Sequence, residues 1–234
     1  MNMKTFFMKT ASRYATILAS FLFLTIGNTA CQKDETNQKL GGSADLDQNK
    51  VGYKTSAGIY IGSKMQRSDL EVVDNQGGII TINISGVLDE ATYQKVETWG
   101  ELLLGEEFTK RRSEIMGPGG QVNAALKFKN TTDGVSYVQD NGSESILMKY
   151  NVKEGDRWSF TQSGTGKRVT CKVVHKSTED DYQMGFMNIK VVKVESTAQG
   201  TPGLSKVVYI GNHKFGLVAI EIYQEDGTIV DIWI

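Results

Sequence analysis

Apolar and polar residues alternate with a period of two over much of the chain after Gly52. From Ile80 to Ser85 every second residue is isoleucine, and the residues between them are polar. This alternation places the apolar side chains on one face of a β-strand and the polar side chains on the other. The same pattern recurs at Leu126–Lys129, Trp158–Thr161, Val169–Val173 and Val218–Tyr223. It predicts about ten strands joined by short turns.

Turn-forming residues separate these candidate strands. Asn75–Gly78 lies between Leu70–Val73 and the isoleucine strand, and Asp226-Gly227 precedes Ile229–Ile234. An Asp-Gly pair favours the type I′ turn of an antiparallel hairpin. A sheet of this many strands must curl or close to protect its edges. We therefore expect a mainly β fold built on a curled antiparallel sheet.

One stretch, from Asp89 to Met116, departs from the alternation. Its apolar residues Tyr93, Val96, Trp99 and Leu103 are three to four positions apart, as on one face of a helix. Asp89 is suited to cap the helix start, and basic residues near the far end suit the helix dipole. Gly100 and Gly105 disfavour a helix, and local alternation around Tyr93 leaves a strand open as the alternative. The pattern favours a short helical excursion packed on the sheet.

The first thirty residues differ in kind from the rest. A basic start is followed by a largely apolar run from Ala15 to Ile26 and then by small residues before Cys31. This is the layout of a secretory signal, and the apolar run is shorter than a membrane-spanning helix requires. Small residues directly before a cysteine resemble the lipobox of bacterial lipoproteins, although Asn28 replaces the usual apolar residue. The resemblance implies cleavage after residue 30, acylation of Cys31 and attachment to a membrane; a plain cleaved signal is the alternative.

The four residues after the cysteine are polar and charged. Gln32, Lys33, Asp34 and Glu35 resemble the export signal that directs lipoproteins of Bacteroidota-type Gram-negative bacteria to the outer face of the outer membrane. A solvated polar spacer explains them equally well. Residues 31–52 have almost no apolar periodicity, so we expect a lipidated, flexible tether. Asp45, Asp47 and Asn49 resemble the start of a calcium loop, but the later ligand positions are missing, and we expect no metal.

Composition excludes several classes of function. The formal net charge is −1, and removal of residues 1–30 takes away 3 of the 26 basic residues and none of the 27 acidic residues. A charge of this sign and size argues against nucleic-acid binding, which requires clustered Lys and Arg. Two histidines and two cysteines leave few ligands for zinc or haem, and no cofactor is expected. With Cys31 acylated, Cys171 has no disulfide partner and is expected in the core.

Four motifs contain residue types that can carry chemistry. Gln162–Lys167 superficially resembles a phosphate loop but lacks the required Ser or Thr and the following helix, so we interpret it as a hairpin tip. His175 and His213 have no recognisable catalytic partner nearby in sequence. The acidic clusters Glu106-Glu107 and Glu179–Asp181 are typical of solvated turns.

The fourth motif supplies the candidate ligand-binding residues. Trp99 can stack on a flat ligand, and Arg111 and Arg112 can bind an anion. The competing interpretation is a core tryptophan beside a basic helix end. No catalytic residue is identified.

Two loose motifs near the C-terminus carry a further resemblance. Gly155-Asp156-Arg157-Trp158-Ser159-Phe160 and Gly216-Leu217-Val218-Ala219-Ile220-Glu221 are similar to the "GDxWxF" and "GLVxxE" motifs of uncharacterised secreted bacterial β-domains. The resemblance covers roughly residues 148–234 and implies a lipocalin-like or half-barrel sheet. It implies no activity, because these motifs are structural.

Together the patterns predict a signal peptide at residues 1–30, a tether at 31–52 and one β-rich domain at 53–234. We expect a non-enzymatic, surface-exposed outer-membrane lipoprotein that binds a small amphipathic molecule, a glycan or an envelope protein. A structural or accessory subunit of an envelope complex is the alternative, and a hydrolase is the third.

Overall fold

The computed structural model describes residues 38–163 and 165–234, without the side chains of residues 101–103. Fourteen strands and two α-helices are present in this part of the chain. The first six strands are β1 (Lys54–Ile61), β2 (Lys64–Gln76), β3 (Ile79–Val87), β4 (Gln121–Thr131), β5 (Gly134–Val138) and β6 (Glu144–Lys149). The next four are β7 (Arg157–Thr161), β8 (Arg168–Lys176), β9 (Tyr182–Met184) and β10 (Met187–Ile189). The last four are β11 (Val192–Ala198), β12 (Leu204–Asn212), β13 (Gly216–Gln224) and β14 (Ile229–Trp233).

Twelve of the strands form one sheet in the order β6-β5-β4-β3-β2-β1-β14-β13-β12-β11-β8-β7, and all of its pairings are antiparallel. The first and last strands therefore pair with each other, and the two ends of the sheet are the consecutive strands β6 and β7. The Trp158 indole N–H on β7 donates to the Ile146 carbonyl on β6 at 2.7 Å. The sheet is thus nearly closed into a barrel, which confirms the predicted fold class. Strands β9 and β10 form a separate hairpin between β8 and β11.

The predicted helical excursion is confirmed as two helices. Helix α1 spans Glu90–Leu104 and helix α2 spans Glu106–Ile115. The Thr92 backbone N–H donates to Asp89 Oδ1 at 2.8 Å, so Asp89 caps α1 as expected. The two glycines that disfavoured a helix in the sequence have specific roles here.

Gly105 lies between the helices with a φ of 63°, a conformation that separates them. Gly100 lies against the Phe108 ring, and a Cβ at position 100 would lie 2.2 Å from the Phe108 Cε2 atom. The absence of a side chain therefore allows α1 and α2 to pack closely.

The Asp226-Gly227 pair joins β13 to β14, but it does not form the expected type I′ turn. That turn needs a positive φ at both central residues, and within the described ranges only glycines have one. Gly227 has a φ of 83°, and the Thr228 N–H donates to Asp226 Oδ1 at 2.8 Å. The Asp226 side chain thus stabilises the turn by accepting a hydrogen bond. The turn contains one left-handed residue, Gly227, where a type I′ turn has two.

Residues 38–53 lie against the sheet, although the sequence analysis placed residues up to 52 in a flexible tether. Leu40 is buried, and its N–H donates to Glu144 at 2.8 Å. Asn49 is 1% exposed; its amide N–H groups donate to the carbonyls of Ala44 and Asn130, both at 2.8 Å. A single buried apolar side chain and a single buried amide produce no periodic pattern in the sequence, so this attachment could not be predicted.

Candidate functional site

A cavity of about 510 Å³ lies inside the barrel. Side chains from most strands of the large sheet and from both helices line it, and most of them are apolar. Characteristic members are Ile59, Ile82, Leu126, Leu147, Val207 and Ile220. The inward positions of the alternating strands supply these residues, so the pattern in the sequence directly produces an apolar interior. The volume is within the range of small-molecule binding sites.

The helices close one end of the barrel. Trp99, Gly100 and Leu104 of α1 and Phe108 and Ile115 of α2 contribute to the cavity wall. Phe108 is 1% exposed. This end is therefore sealed by apolar packing.

The opposite end carries the residues that connect the cavity to solvent. Tyr53 and Phe215 line the cavity and are each 42% exposed. Gln48 lies beside them, and its side-chain N–H donates to the Lys214 carbonyl at 2.8 Å. Segment 38–53 therefore forms one side of the cavity mouth.

Some polar groups on the cavity wall are hydrogen-bonded within the protein. The Gln139 amide N–H donates to the Ser145 hydroxyl at 2.7 Å, and its carbonyl oxygen accepts the Ser163 N–H. The Thr165 hydroxyl donates to the Gln162 side-chain oxygen at 3.0 Å. Gln139 and Gln162 are therefore hydrogen-bonded within the protein.

Two buried polar atoms on the cavity wall have no hydrogen-bond partner within the part of the chain that the structure describes. They are Trp99 Nε1, a donor, and Asn130 Oδ1, an acceptor. Their residues are 5% and 7% exposed. Buried polar groups are normally satisfied, so these two atoms mark positions where a bound molecule or water completes the bonding.

Charge is nearly absent from the cavity wall. Among the described lining residues, Glu71 is the one charged side chain. It lies 3.3 Å from Lys54 and is 42% exposed, so its charge is balanced and hydrated. The rest of the wall offers an enclosed ion no counter-charge.

The structure separates the three candidate ligand-binding residues. Trp99 lines the cavity, whereas neither Arg111 nor Arg112 does. Arg111 pairs with Glu107 and Glu114, both at 3.3 Å. The Arg112 Nε atom donates to Glu97 at 2.6 Å. Arg112 therefore joins the two helices, Arg111 forms its ion pairs within α2, and neither arginine lines the cavity with Trp99.

Glu107 and Asn130 are two partly or fully buried polar residues near the cavity that were not among the candidate ligand-binding residues from the sequence. Glu107 was placed in a solvated acidic cluster, but its carboxylate accepts the Tyr137 hydroxyl group behind the cavity wall. Burial raises the pKa of Glu107. Burial and the Glu107 carboxylate together raise the pKa of Tyr137.

Asn130 is the other missed residue, and it did carry a signal in the sequence. It shares the inward face of β4 with Phe128, where the alternation calls for an apolar residue.

The candidate cysteines and histidines either do not line the cavity or lie outside the described residues. Cys31 and the Gln32–Glu35 segment precede residue 38 and are not described. Cys171 is fully buried, and burial raises its thiol pKa to about 12, so it is an unreactive core residue as expected. His213 is exposed in the turn between β12 and β13.

His175 does have polar partners in the fold, namely Ser177 and Glu154. Its Nε2 atom lies 3.4 Å from the Ser177 hydroxyl, and its Nδ1 atom lies 3.5 Å from Glu154. Ser177, however, donates its proton to Asp181 and accepts the Val191 N–H at 3.0 Å. The serine proton is thus directed to Asp181, and the serine does not donate to the histidine as an activated nucleophile does. No group of three metal-ligating side chains occurs among the described residues.

A pair of carboxylates lies on β13 and β14. Glu221 is directly opposite Asp231, and burial, followed by the charge of Glu221, raises the pKa of Asp231. Glu221 accepts the Tyr223 hydroxyl at 2.7 Å. Neither acid lines the cavity.

In the described part of the chain, neither helix has the length and apolar character that crossing a membrane requires.

Comparison with known proteins adds two remote likenesses. No family model matches the chain, and no curated protein does. A protein named as exported, with a YMCC-like fold, from Bacteroides fragilis NCTC 9343 matches over 79% of this chain and 94% of its own, with 10% identity and a TM-score of 0.44. A protein named as a lipoprotein from Parabacteroides distasonis ATCC 8503 matches over the same shares, with 9% identity and a TM-score of 0.32. Both likenesses are too distant to carry an argument about function.

Proposed function

We propose that this protein is a non-enzymatic outer-membrane lipoprotein whose barrel binds a small amphipathic molecule. One observation carries the binding role: the interior is an apolar cavity of about 510 Å³ instead of a filled core. An empty apolar volume of this size gives up packing contacts that a filled interior would provide. A ligand that fills the cavity restores those contacts and removes its own apolar surface from water.

The arrangement of the cavity supports binding over catalysis. One end is sealed by the helices, the other has exposed residues at its rim, and most of the side chains on the wall are apolar. The groups best suited to acid–base chemistry are those around His175 and Asp231. Neither His175 nor Asp231 lines the cavity. A molecule enclosed here meets hydrogen-bonding groups and apolar side chains, without a nucleophile beside a base.

The membrane location rests on the sequence before residue 38. The apolar run, the small residues before Cys31 and the polar segment Gln32–Glu35 together favour acylation and display on the outer face of the outer membrane. Replacing Cys31 with Ala should abolish acylation and release the protein from membranes. Membrane retention of an unacylated protein would contradict the anchor. Replacing Lys33, Asp34 and Glu35 with Ala should protect the domain from protease added to intact cells.

The binding role can be measured with a neutral fluorescent probe. N-phenyl-1-naphthylamine fluoresces strongly in apolar surroundings, and we expect a saturable increase in its fluorescence with about one site per chain. The protein unfolded in urea is the control and should give no saturable signal. If the folded protein also gives none up to the solubility limit of the dye, the binding role is wrong.

The second candidate, an accessory subunit, is supported by exposed apolar side chains at the mouth end of the barrel. Phe186, at the tip of the β9–β10 hairpin, is 96% exposed, and Val51 is 63% exposed. Trp233 is 38% exposed and stacks on Tyr182 with 5.9 Å between the ring centroids. Exposed apolar groups of this kind mark contact surfaces. Cross-linking through a photoreactive residue at position 186 in intact cells would identify a protein partner under this alternative.

A further inference from the structure

We infer that the enclosed part of the ligand is uncharged and carries a hydroxyl group, as in a long-chain alcohol or a monoacylglycerol. This inference rests on the proposed binding function and adds the chemistry of the ligand. It follows from the two unpartnered polar atoms on the cavity wall and from the absence of a counter-charge there.

Trp99 sets the first requirement. Its indole N–H is buried, has no acceptor within the described residues and belongs to a side chain that lines the cavity. An indole nitrogen can only donate, so the complementary atom must be a hydrogen-bond acceptor. A hydrocarbon leaves this donor unsatisfied, whereas a hydroxyl or ester oxygen satisfies it.

Asn130 sets the second requirement. Its side-chain N–H donates to Asn49 Oδ1 at 3.1 Å, which leaves the Asn130 Oδ1 atom without a donor among the described residues. The complementary group must therefore donate a hydrogen bond. A carboxylate cannot do so, because it only accepts, whereas a hydroxyl group can serve either Asn130 or Trp99.

The charge distribution excludes an enclosed ion of either sign. No lysine, arginine or histidine occurs among the described lining residues, so an enclosed anion would lose its hydration without gaining a partner. The carboxylate of Glu71 is the only charge on this wall, and it is half exposed and paired with Lys54. An enclosed ammonium group would therefore also lack a free counter-ion.

A competition series with one chain length and three head groups tests the inference. Monolauroylglycerol, laurate and dodecylamine would each be titrated, below their aggregation concentrations, against protein saturated with N-phenyl-1-naphthylamine at pH 7.5. We expect monolauroylglycerol to displace the dye at a concentration at least tenfold lower than either ion. Equal or stronger displacement by laurate or dodecylamine would overturn the inference while leaving the binding function intact. If the dye itself does not bind, the proposed function fails instead.

The Trp99→Phe variant tests the indole hydrogen bond, because it keeps an aromatic ring and removes the donor. We expect its affinity for monolauroylglycerol to fall by roughly 3- to 10-fold, as for the loss of one hydrogen bond. Its affinity for the dye should change less than twofold. An equal loss for both molecules would mean that Trp99 acts only by packing, and an unchanged affinity for both would remove its proposed contact. Tyr93→Phe, elsewhere on α1, is the matched control, since Tyr93 donates to the Gly117 carbonyl and does not line the cavity.

Discussion

The two ends of the barrel are closed by different physical means. At the helix end, Phe108 is 1% exposed and packs against Gly100, so apolar contact forms the seal. At the mouth end, hydrogen bonds hold segment 38–53, and the Asn49 amide joins it to Asn130 through two of them. Apolar packing excludes water at one end, whereas the hydrogen bonds at the other can exchange with water. Under the proposed binding function, a ligand that enters at the mouth end would disrupt fewer apolar contacts.

The largest effect is expected from removing the apolar seal. Phe108→Ala should lower the free energy of unfolding by about 3–5 kcal/mol, because it deletes a fully buried aromatic ring and leaves a void. Urea unfolding followed by tryptophan fluorescence measures this change. Thr109→Ala, at an exposed neighbouring position, is the control and should change stability little. A loss below about 1 kcal/mol for Phe108→Ala would show that the helices do not seal the barrel.

A smaller loss is expected from overpacking the same contact. Gly100→Ala should destabilise the protein by about 2–3 kcal/mol, because the new Cβ atom would overlap the Phe108 ring and force the helices apart. A double-mutant cycle identifies the cause: in the presence of Phe108→Leu, Gly100→Ala should cost clearly less. Strict additivity would mean that the two side chains do not meet.

A more local effect is expected at the mouth end. Asn49→Ala should lower the free energy of unfolding by about 1–2 kcal/mol, since it leaves the partner groups of Asn130 unsatisfied. Amide exchange at Thr132, whose N–H donates to the Ser43 carbonyl at 2.9 Å, should accelerate as segment 38–53 loosens. Exchange at the Leu88 amide, which donates to the Gly120 carbonyl at the helix end of the barrel, should not change. Uniform acceleration at both amides would indicate global loss of stability instead of local opening.

The smallest effect concerns the pH dependence of the helix end. Burial raises the pKa of Glu107 above its ordinary value of 4.5, so the folded protein holds this proton more tightly than the unfolded chain does. The contribution of Glu107 to stability is therefore greatest below pH 4.5 and declines as the pH rises through the folded-state pKa.

Glu107→Gln should remove that decline, because the amide oxygen still accepts the Tyr137 hydroxyl without gaining a charge. Urea unfolding of the unmodified protein and of the Glu107→Gln variant between pH 4 and pH 7 measures this: only the unmodified protein should lose the Glu107 contribution as the pH rises. Parallel pH profiles would contradict the role of Glu107 burial.

Features that repeat along the chain could be predicted from the sequence, whereas single contacts could not. The alternation at Ile80–Ser85 and the spacing of apolar residues after Asp89 produce β3 and α1, because both depend on local periodicity. The burial of Asn49 and the proximity of His175 to Glu154 depend on how loops return to the sheet, and no local pattern encodes this.

The cavity could not be predicted from the sequence either. An apolar residue at an inward position, such as Ala124 or Ile82, fits a filled interior and an empty one equally well. The difference depends on the circumference of a twelve-stranded sheet, which becomes visible when strand pairing is known. Asn130 is the exception, since a polar residue at an inward position could be recognised from the alternation around Phe128.

The most direct test of the central claim is to fill the cavity and measure dye binding. Ala124 on β4 is buried and lines the cavity, whereas Asn123, the preceding residue, is exposed. Ala124→Phe should reduce the affinity for N-phenyl-1-naphthylamine at least tenfold while circular dichroism and urea unfolding show a folded protein, and Asn123→Phe should leave the affinity unchanged. Undiminished binding by folded Ala124→Phe protein would contradict the assignment of the cavity as the binding site.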